Sequence, residues 1–152
     1  MATLAGTVRF ILESKKSGID AVTPDDTVLR ALEVMVERNV RALVVTEGDA
    51  LAGILTEHDY ARGVELKGRT ARETRVREIM TSDVMTVGPE DSVVQCNLLM
   101  HRHRIHHLPV VGDGRVLGMV SAHVVLEEMV TEEEEQIQGL ETERLMIRTG
   151  NY

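Results

Sequence analysis

The sequence predicts a mixed α+β fold: two tandem β-α-β-β-α units packed as a pseudo-two-fold pair, plus a C-terminal helix. An internal repeat is the first observation behind this prediction. When the chain of 152 residues is compared with itself at a shift of 65, residues 19–62 lie on residues 84–127 without a gap. Nine of these 44 pairs are identical, whereas chance predicts about three. The second observation is that both copies show the same order of hydrophobic patterns. The identical pairs are Val22/Val87, Pro24/Pro89, Asp26/Asp91, Val28/Val93, Met35/Met100, Leu43/Leu108, Val45/Val110, Gly53/Gly118 and His58/His123.

The elements of each copy follow one order. An extended stretch comes first, and a Pro-led segment then opens a helix with carboxylates in its first turn. A buried-type strand, a turn rich in Gly and Asp, and a second strand follow and predict a hairpin. A final helix starts at a Thr or Ser that suits an N-cap. In the first copy these elements are 21–23, the helix from Pro24, 42–45, 47–49, 51–55 and the helix from Thr56; in the second they are 85–87, the helix from Pro89, 108–111, 112–114, 116–120 and the helix from Ser121.

Four segments describe the predicted domain organisation. The first unit covers 8–66, a basic linker 67–76, the second unit 77–130, and an acidic C-terminal helix or tail 131–152. Neither unit is large enough to be comfortably stable alone, so we expect the two to pack together. The linker is either a solvated loop or a loop that reaches a phosphate group. Thr131 is expected to cap the C-terminal helix.

Composition excludes several classes of protein. The formal net charge is −8, which disfavours nucleic acid as a partner. No apolar run approaches the length that spans a membrane, and no signal peptide is recognisable, so we expect a cytoplasmic protein. Cys96 is the only cysteine, so no intrachain disulfide or cysteine zinc site can form. We expect Cys96 to be buried and inert on the core face of a helix.

Two stretches resemble the signatures of the CBS motif. Residues 53–59, Gly-Ile-Leu-Thr-Glu-His-Asp, are similar to its Gly-hydrophobic-x-Ser/Thr-x-x-Asp pattern, and residues 105–111 resemble its second-strand signature. The runs 57–62, 66–69 and 76–81 are similar to small stand-alone bacterial CBS-pair proteins and their plant organellar relatives. The resemblance implies a non-catalytic regulatory homodimer that binds an adenine nucleotide between its two motifs. AMP leads these ligands, with ADP, ATP, NAD and S-adenosylmethionine as alternatives.

The same resemblance assigns ribose binding to Thr56 and Asp59. A carboxylate can accept hydrogen bonds from both cis hydroxyls of a ribose. Residues three apart share one side of a helix start, where free N–H groups can meet phosphate oxygens. The alternative is that Thr56 is only an N-cap and Asp59 only a first-turn carboxylate. The second copy keeps Ser121 and His123 but has Val124 in place of the aspartate, so we expect its cleft to be weaker.

The resemblance also indicates where the base and the phosphates lie. The adenine slot carries over to Ile54, Met80, Thr81 and Met85, whose apolar side chains and thioethers suit a flat ring. In the family, the phosphates point toward the start of the second strand of each repeat, which here is the strand at 42–45 or 108–111. The phosphate candidates there and nearby are Arg41, His106, His58, Arg62, Lys67 and Arg69.

Two other functions and a metal site are alternatives to a nucleotide-binding regulatory module. A ligand-free scaffold or dimerisation protein is the alternative, because the aspartate is missing from the second copy. An enzyme is disfavoured, since the sequence shows no catalytic triad order, P-loop or paired carboxylates. His101, His103, His106 and His107 do not converge from one helix end, so we expect no metal. The regulated partner is unknown from sequence.

Overall fold

The fold is described by a computed structural model that covers residues 6–14 and 18–149, without the side chains of residues 132 and 142–149. No helix in this part of the chain is long and apolar enough to cross a bilayer. Two single 3-10 turns, Glu65–Lys67 and Ala71–Glu73, follow the third helix. The elements are α1 (Val8–Ser14), β1 (Ala21–Val22), α2 (Val28–Arg38), β2 (Ala42–Glu47), β3 (Ala50–Thr56), α3 (Glu57–Gly63), α4 (Val76–Ile79), α5 (Val93–His103), β4 (His107–Gly112), β5 (Arg115–Ser121) and α6 (Ala122–Thr149).

Both predicted hairpins and the α+β class are confirmed. In the first repeat, β1 lies parallel to β2, which pairs antiparallel with β3. In the second repeat, β4 pairs antiparallel with β5. The registers shift at equivalent positions, between Val45 and Thr46 and between Val110 and Val111. Gly48 and Gly114 take φ values of 61° and 72°, which only glycine adopts readily in such turns.

The predicted first strand of the second repeat is wrong. Only Val87 pairs there, in a single parallel bridge with Val110. Pro109 is the physical reason, because it stands where β2 has Val44. The N–H of Val44 donates to the carbonyl of Asp20 at 3.2 Å, and proline has no N–H to make the equivalent bond.

The helices after Pro24 and Pro89 begin later than predicted. Their N-caps are Thr27 and Ser92, which accept hydrogen bonds from backbone N–H groups three residues on. The prolines lead a turn instead. The Asp26 carboxylate accepts from the N–H of Thr23 at 2.8 Å, and Asp91 makes the equivalent bond. These carboxylates therefore close the turn before the helix rather than lying in its first turn.

The C-terminal helix does not start at Thr131. Helix α6 runs without a break from Ala122 to Thr149, and the Thr131 hydroxyl donates to the carbonyl of Glu127 at 2.9 Å. A helix interior has no free N–H at that point for a cap to satisfy. Residues 150–152 of the predicted tail lie outside the described residues.

Each repeat is completed by a short helix that comes from outside it. Val76 of α4 is buried in the first cluster, and Val8 of α1 is buried in the second. The attachments are equivalent: Val8 N–H donates to Asp91 O, and Val76 N–H donates to Asp26 O, both at 2.9 Å. The first cluster contains Val22, Ala31, Val34, Met35, Leu43, Val45, Leu55 and Val76; the second contains Val8, Ile11, Val87, Val93, Cys96, Met100, Leu108, Val110, Val120 and Val125.

Cys96 is buried in the second cluster, as predicted. Burial, and secondarily the charge of Asp91, raises the pKa of its thiol from 9.0 to about 11. The thiol is therefore protonated near neutral pH, and we expect it to react with a disulfide reagent only after unfolding. The measurement is the rate at which Cys96 reacts with a chromogenic disulfide reagent, in buffer and in guanidinium chloride.

The raised pKa of Cys96 also makes the stability of the fold depend on pH in the alkaline range. Between the pKa of an unfolded cysteine and about 11, the thiol loses its proton only in the unfolded chain, so the free energy of unfolding falls as pH rises. Cys96→Ala copies Ala31, its counterpart in the first repeat, and should lessen this alkaline loss. Fast reaction of the native thiol, or the same alkaline loss in Cys96→Ala, contradicts the assignment.

Candidate functional site

The candidate ribose site is a closed set of contacts at the start of α3. The Asp59 Oδ2 atom accepts from the Thr56 N–H at 2.9 Å and from its hydroxyl at 3.1 Å. The Asp59 N–H donates back to Thr56 Oγ1 at 3.1 Å. This is a capping box, so the two residues fix each other's side chains. Asp59 is only 5 % exposed.

A second segment, directly after α4, meets this carboxylate. The Thr81 hydroxyl donates to Asp59 Oδ1 at 3.2 Å. Ile54 and Thr81 hold the segment in place through two backbone hydrogen bonds, each of 2.9 Å. A Cβ on Gly53 would lie 2.6 Å from the Thr81 carbonyl oxygen, so this approach requires glycine. The site therefore combines β3 and α3 with the segment that leads into the second repeat.

Asp59 keeps acceptor capacity in this arrangement. A carboxylate offers about four acceptor positions, and the described residues occupy three of them, two on Oδ2 and one on Oδ1. The arrangement leaves one acceptor position at Oδ1 for a further hydroxyl. N-capping alone explains the bonds on Oδ2, so the ribose roles of Thr56 and Asp59 stay predictions.

The residues predicted for adenine fall into two groups. Ile54 is buried on β3, and the half-buried Met80 packs on the first cluster beside Gly53. Thr81 lies next to them through its bridge to Ile54. Met85 packs on the second cluster instead. The first group reaches Asp59 through the Thr81 hydroxyl, and the adenine roles of all four residues stay predictions.

The phosphate candidates are exposed on the first repeat, the linker and the second repeat. Arg41 precedes β2, and its carbonyl accepts from Glu57 N–H at 3.2 Å; His106 makes the equivalent bond with Ala122 at 2.8 Å. These bonds place both residues at helix starts. His58 and Arg62 lie on α3, and Lys67 ends a 3-10 turn. The N–H groups of Glu57 and Asp59 are already engaged, so the start of α3 offers fewer free donors than predicted.

Three arginines in and just after the linker bind groups elsewhere in the first repeat or in α4. Arg69 forms an ion pair with Glu78 at 2.6 Å, and Arg77 pairs with Asp25. Arg75 donates to the Asp25 carbonyl at 2.7 Å. The hydrogen bond from the Arg75 N–H, and then that from Arg69, lowers the pKa of Glu78. Arg69 must leave its carboxylate before it can bind a phosphate, and its role stays a prediction.

The second cleft keeps the cap and lacks the carboxylate. Ser121 Oγ accepts from Val124 N–H at 3.3 Å, as Thr56 does from Asp59. His123 pairs with Glu127 at 2.9 Å and is exposed. A groove of about 560 Å³ lies here between α1 and α6, with Val124 in its lining. In the second cleft, the Val124 side chain stands in the position of the Asp59 carboxylate, and this hydrocarbon accepts no hydrogen bond.

The histidines lie close in sequence without forming a metal site. Burial, and then the neighbouring His106, lowers the pKa of His107, so His107 is neutral near pH 7. Within the described residues, no three His, Cys, Asp or Glu side chains are placed to hold a metal ion.

One feature of the site, the bond from Thr81 to Asp59, is not predicted from the sequence. It joins residues 22 apart, and the bridge to Ile54 helps to bring them together. A signal for that bridge existed, because Gly53 and Gly118 match inside a strand where no turn needs glycine. Gly118 indeed meets Leu12 of α1, whose Cδ2 lies 2.7 Å from the position of an added Cβ.

A comparison with known families agrees with these two halves. The family model of the CBS domain matches residues 16–65 and 76–131. The chain belongs to the CBS-domain family. The two repeats are its two CBS motifs, and the candidate site lies at the end of the first motif.

Relatives and solved structures support the same conclusion. The CBS domain-containing protein CBSX3, mitochondrial, of Arabidopsis thaliana is 41 % identical over 143 residues, which cover 88 % of this chain and 69 % of that protein. A protein with CBS domains from Burkholderia ambifaria has a TM-score of 0.76 and 40 % identity, covering 82 % of this chain and 94 % of the other. The CBS domain pair of protein MJ0100, solved in complex with 5′-methylthioadenosine and S-adenosyl-L-methionine, has a TM-score of 0.71 and 26 % identity, with coverages of 83 % and 97 %.

Proposed function

We propose that this chain is a non-catalytic regulatory module that binds an adenine nucleotide in the cleft at Thr56 and Asp59. The single observation that supports the proposal is the Asp59 carboxylate, which is almost fully buried and held by three hydrogen bonds, so that one of its about four acceptor positions is left for a ribose hydroxyl. A similar CBS domain pair was solved with two adenosine compounds, which supports the same ligand class here.

AMP is the proposed ligand, with ADP, ATP, NAD and S-adenosylmethionine as alternatives. Ribose hydroxyls bind Asp59, and the adenine ring packs on Ile54 and Met80. Arg41 and His58 are exposed near the start of α3 and carry the phosphate in this proposal. Net charge −8 repels a free anion, so local cations are needed to hold one.

The proposed output is a change in packing that a partner protein senses. Asp59 belongs to the first CBS motif, whereas Thr81 lies near the start of the second, which the family model matches from residue 76. A ligand that contacts both stabilises one arrangement of the motifs over others. A homodimer is part of the proposal, supported by Val94 and Leu98, two exposed apolar residues one turn apart on α5. A cytoplasmic location stays a prediction.

Calorimetric titration of the purified chain with AMP, ATP, NAD and S-adenosylmethionine tests the proposal. We expect saturable binding of one of them, with one tight site per chain. A ligand-free scaffold is the second candidate, favoured by the missing carboxylate at Val124. Absence of heat with all four ligands at millimolar concentration contradicts the nucleotide proposal and favours the scaffold.

Val124→Asp is expected to strengthen the second cleft. The new carboxylate stands three residues after Ser121, as Asp59 does after Thr56, and hydrogen bonds to a charged group stabilise by about 1.5–3 kcal/mol. We therefore expect the affinity of a second site to rise roughly tenfold or more. The measurement is binding stoichiometry by calorimetry.

Val124→Leu is the matched control, because it keeps an apolar side chain there. Thermal unfolding checks that the aspartate is tolerated, since Val124 packs partly on the second cluster. If a folded Val124→Asp protein gains no second site, Asp59 alone does not explain the difference between the clefts.

A further inference from the structure

Helix α6 carries an apolar stripe on its exposed side. The stripe consists of Leu126, Val130, Ile137 and Leu140, which are 58, 44, 55 and 61 % exposed. At about 100° of rotation per residue, the four lie within about 80° of one another around the helix axis. Neighbouring positions on the same helix face inward, since Val125 and Met129 pack on the second cluster.

The distal part of α6 has little other support. Residues 133–141 are all exposed where the side chain is described. Gly139 has no atom within 4 Å of an added Cβ, and glycine lowers helix stability. A helical segment without tertiary packing is marginal in water. The stripe is therefore placed to gain its support from another chain.

Over residues 122–141, the formal charges around the stripe have one sign. Residues 122–141 contain seven Glu and neither Lys nor Arg. Glu127, Glu134 and Glu141 recur every seventh residue and line one flank of the stripe. Glu133 falls inside it, between Val130 and Ile137. An occupant must cover apolar residues and neutralise carboxylates at the same time.

A second copy of α6 fits these charges poorly. In a parallel pair in register, Glu133 faces the Glu133 of the other copy. In an antiparallel pair, the flanks carrying Glu127, Glu134 and Glu141 face each other. Like charges at such positions destabilise helix pairing.

We propose that the stripe docks a basic amphipathic helix of the regulated partner protein. Such a helix places apolar residues at spacings of three and four against the stripe, with Lys or Arg beside Glu134 and Glu141. Leu126 and Val130 also line the groove between α1 and α6, so one end of the partner helix can bind in this groove. This inference rests on the proposed regulatory function, which requires a partner.

A designed peptide of three heptads tests the docking surface on the full chain. The probe carries Leu and Val along one stripe and Lys on its flanks, and its binding is followed by fluorescence anisotropy. We expect saturable binding that weakens with salt and weakens at least about tenfold in the double variant Ile137→Asp, Leu140→Asp. A second peptide of the same composition has its apolar residues scattered. It should bind the wild-type chain no more tightly than the first peptide binds the double variant.

Leu66→Asp is the control variant, because Leu66 is exposed on a 3-10 turn outside α6 and its loss should leave binding unchanged. Equal binding of both peptides, or equal binding to the double variant, overturns the proposal. So does an absence of binding together with a fall in molar mass in the double variant, which assigns the stripe to a second copy. Nucleotide affinity of the Asp59 site is measured on the same variants without peptide, and it should equal that of the wild type, so that a failure of docking is distinguished from a failure of nucleotide binding.

Discussion

Asp59→Ala is expected to weaken adenine nucleotide binding at least about 100-fold. Two hydrogen bonds from ribose hydroxyls to a carboxylate are lost, each contributing about 1.5 kcal/mol or more, and every 1.4 kcal/mol or so is tenfold in affinity. The carboxylate is buried and pre-positioned by Thr56 and Thr81, so ordering it on ligand binding costs little conformational entropy. Calorimetric titration of both proteins with the same ligand measures the effect.

The variant also removes the Asp59 half of the capping box, although Thr56 remains as the N-cap of α3, so folding must be controlled. Losing the bond from the Asp59 carboxylate to the Thr56 N–H costs about 1 kcal/mol of stability, which thermal unfolding will show. Asp26→Ala is a matched control, because Asp26 accepts a backbone hydrogen bond in the same motif away from the cleft. Asp59→Asn keeps the size of the side chain and removes its charge, so it separates the effect of the charge on affinity from that of the shape. Unchanged affinity in a folded Asp59→Ala protein leaves Asp59 with a capping role only.

Leu43→Ala is expected to lower the free energy of unfolding by about 2–5 kcal/mol. Leu43 is fully buried in the first cluster, and truncation leaves a cavity there. The whole chain should still unfold in a single transition. The reason is that α1 precedes the first motif but packs in the second, whereas Val76 follows the first motif and packs in it.

Denaturant unfolding, followed by circular dichroism, measures this prediction. Leu108→Ala, the equivalent change in the second motif, should shift the same transition by a similar amount. Leu66→Ala is the exposed control and should change stability by less than about 0.5 kcal/mol. Two separate transitions, with Leu43→Ala moving only one of them, contradict the coupling of the motifs through α1 and α4.

The repeat and the hairpins could be predicted because their signals are local. Short apolar runs on either side of the turns at Gly48 and Gly114 predict both hairpins, and Thr56 stands as a cap before a helix. Thr27 and Ser92 also match between the repeats, and they are the true N-caps. The prolines before them were read as helix starts, although a cap before the apolar run is the stronger signal.

The placement of α1 could not be predicted from the shift of 65. Val8-Arg9 matches Val76-Arg77 at a shift of 68, so the two docking helices fall out of register with the rest of the repeat. Their packing depends on contacts between distant parts of the chain. The bond from Thr81 to Asp59 has the same character, because it depends on the bridge to Ile54.

Thr131 and Pro109 show how context overrides a local signal. Thr131 begins an acidic stretch like a cap, but the preceding helix continues through it. Pro109 lies within a strand as predicted, yet its missing N–H reduces the adjoining strand to one bridge. The ribose, adenine and phosphate roles of the site residues stay predictions, since they depend on a ligand.

A crystal structure of the chain with the tightest-binding of the four nucleotide ligands tests the central claim most directly. The account predicts ribose hydroxyls within hydrogen-bond distance of the Asp59 carboxylate and adenine against Ile54 and Met80. A ligand bound only at the second cleft, beside Ser121 and His123, would contradict it.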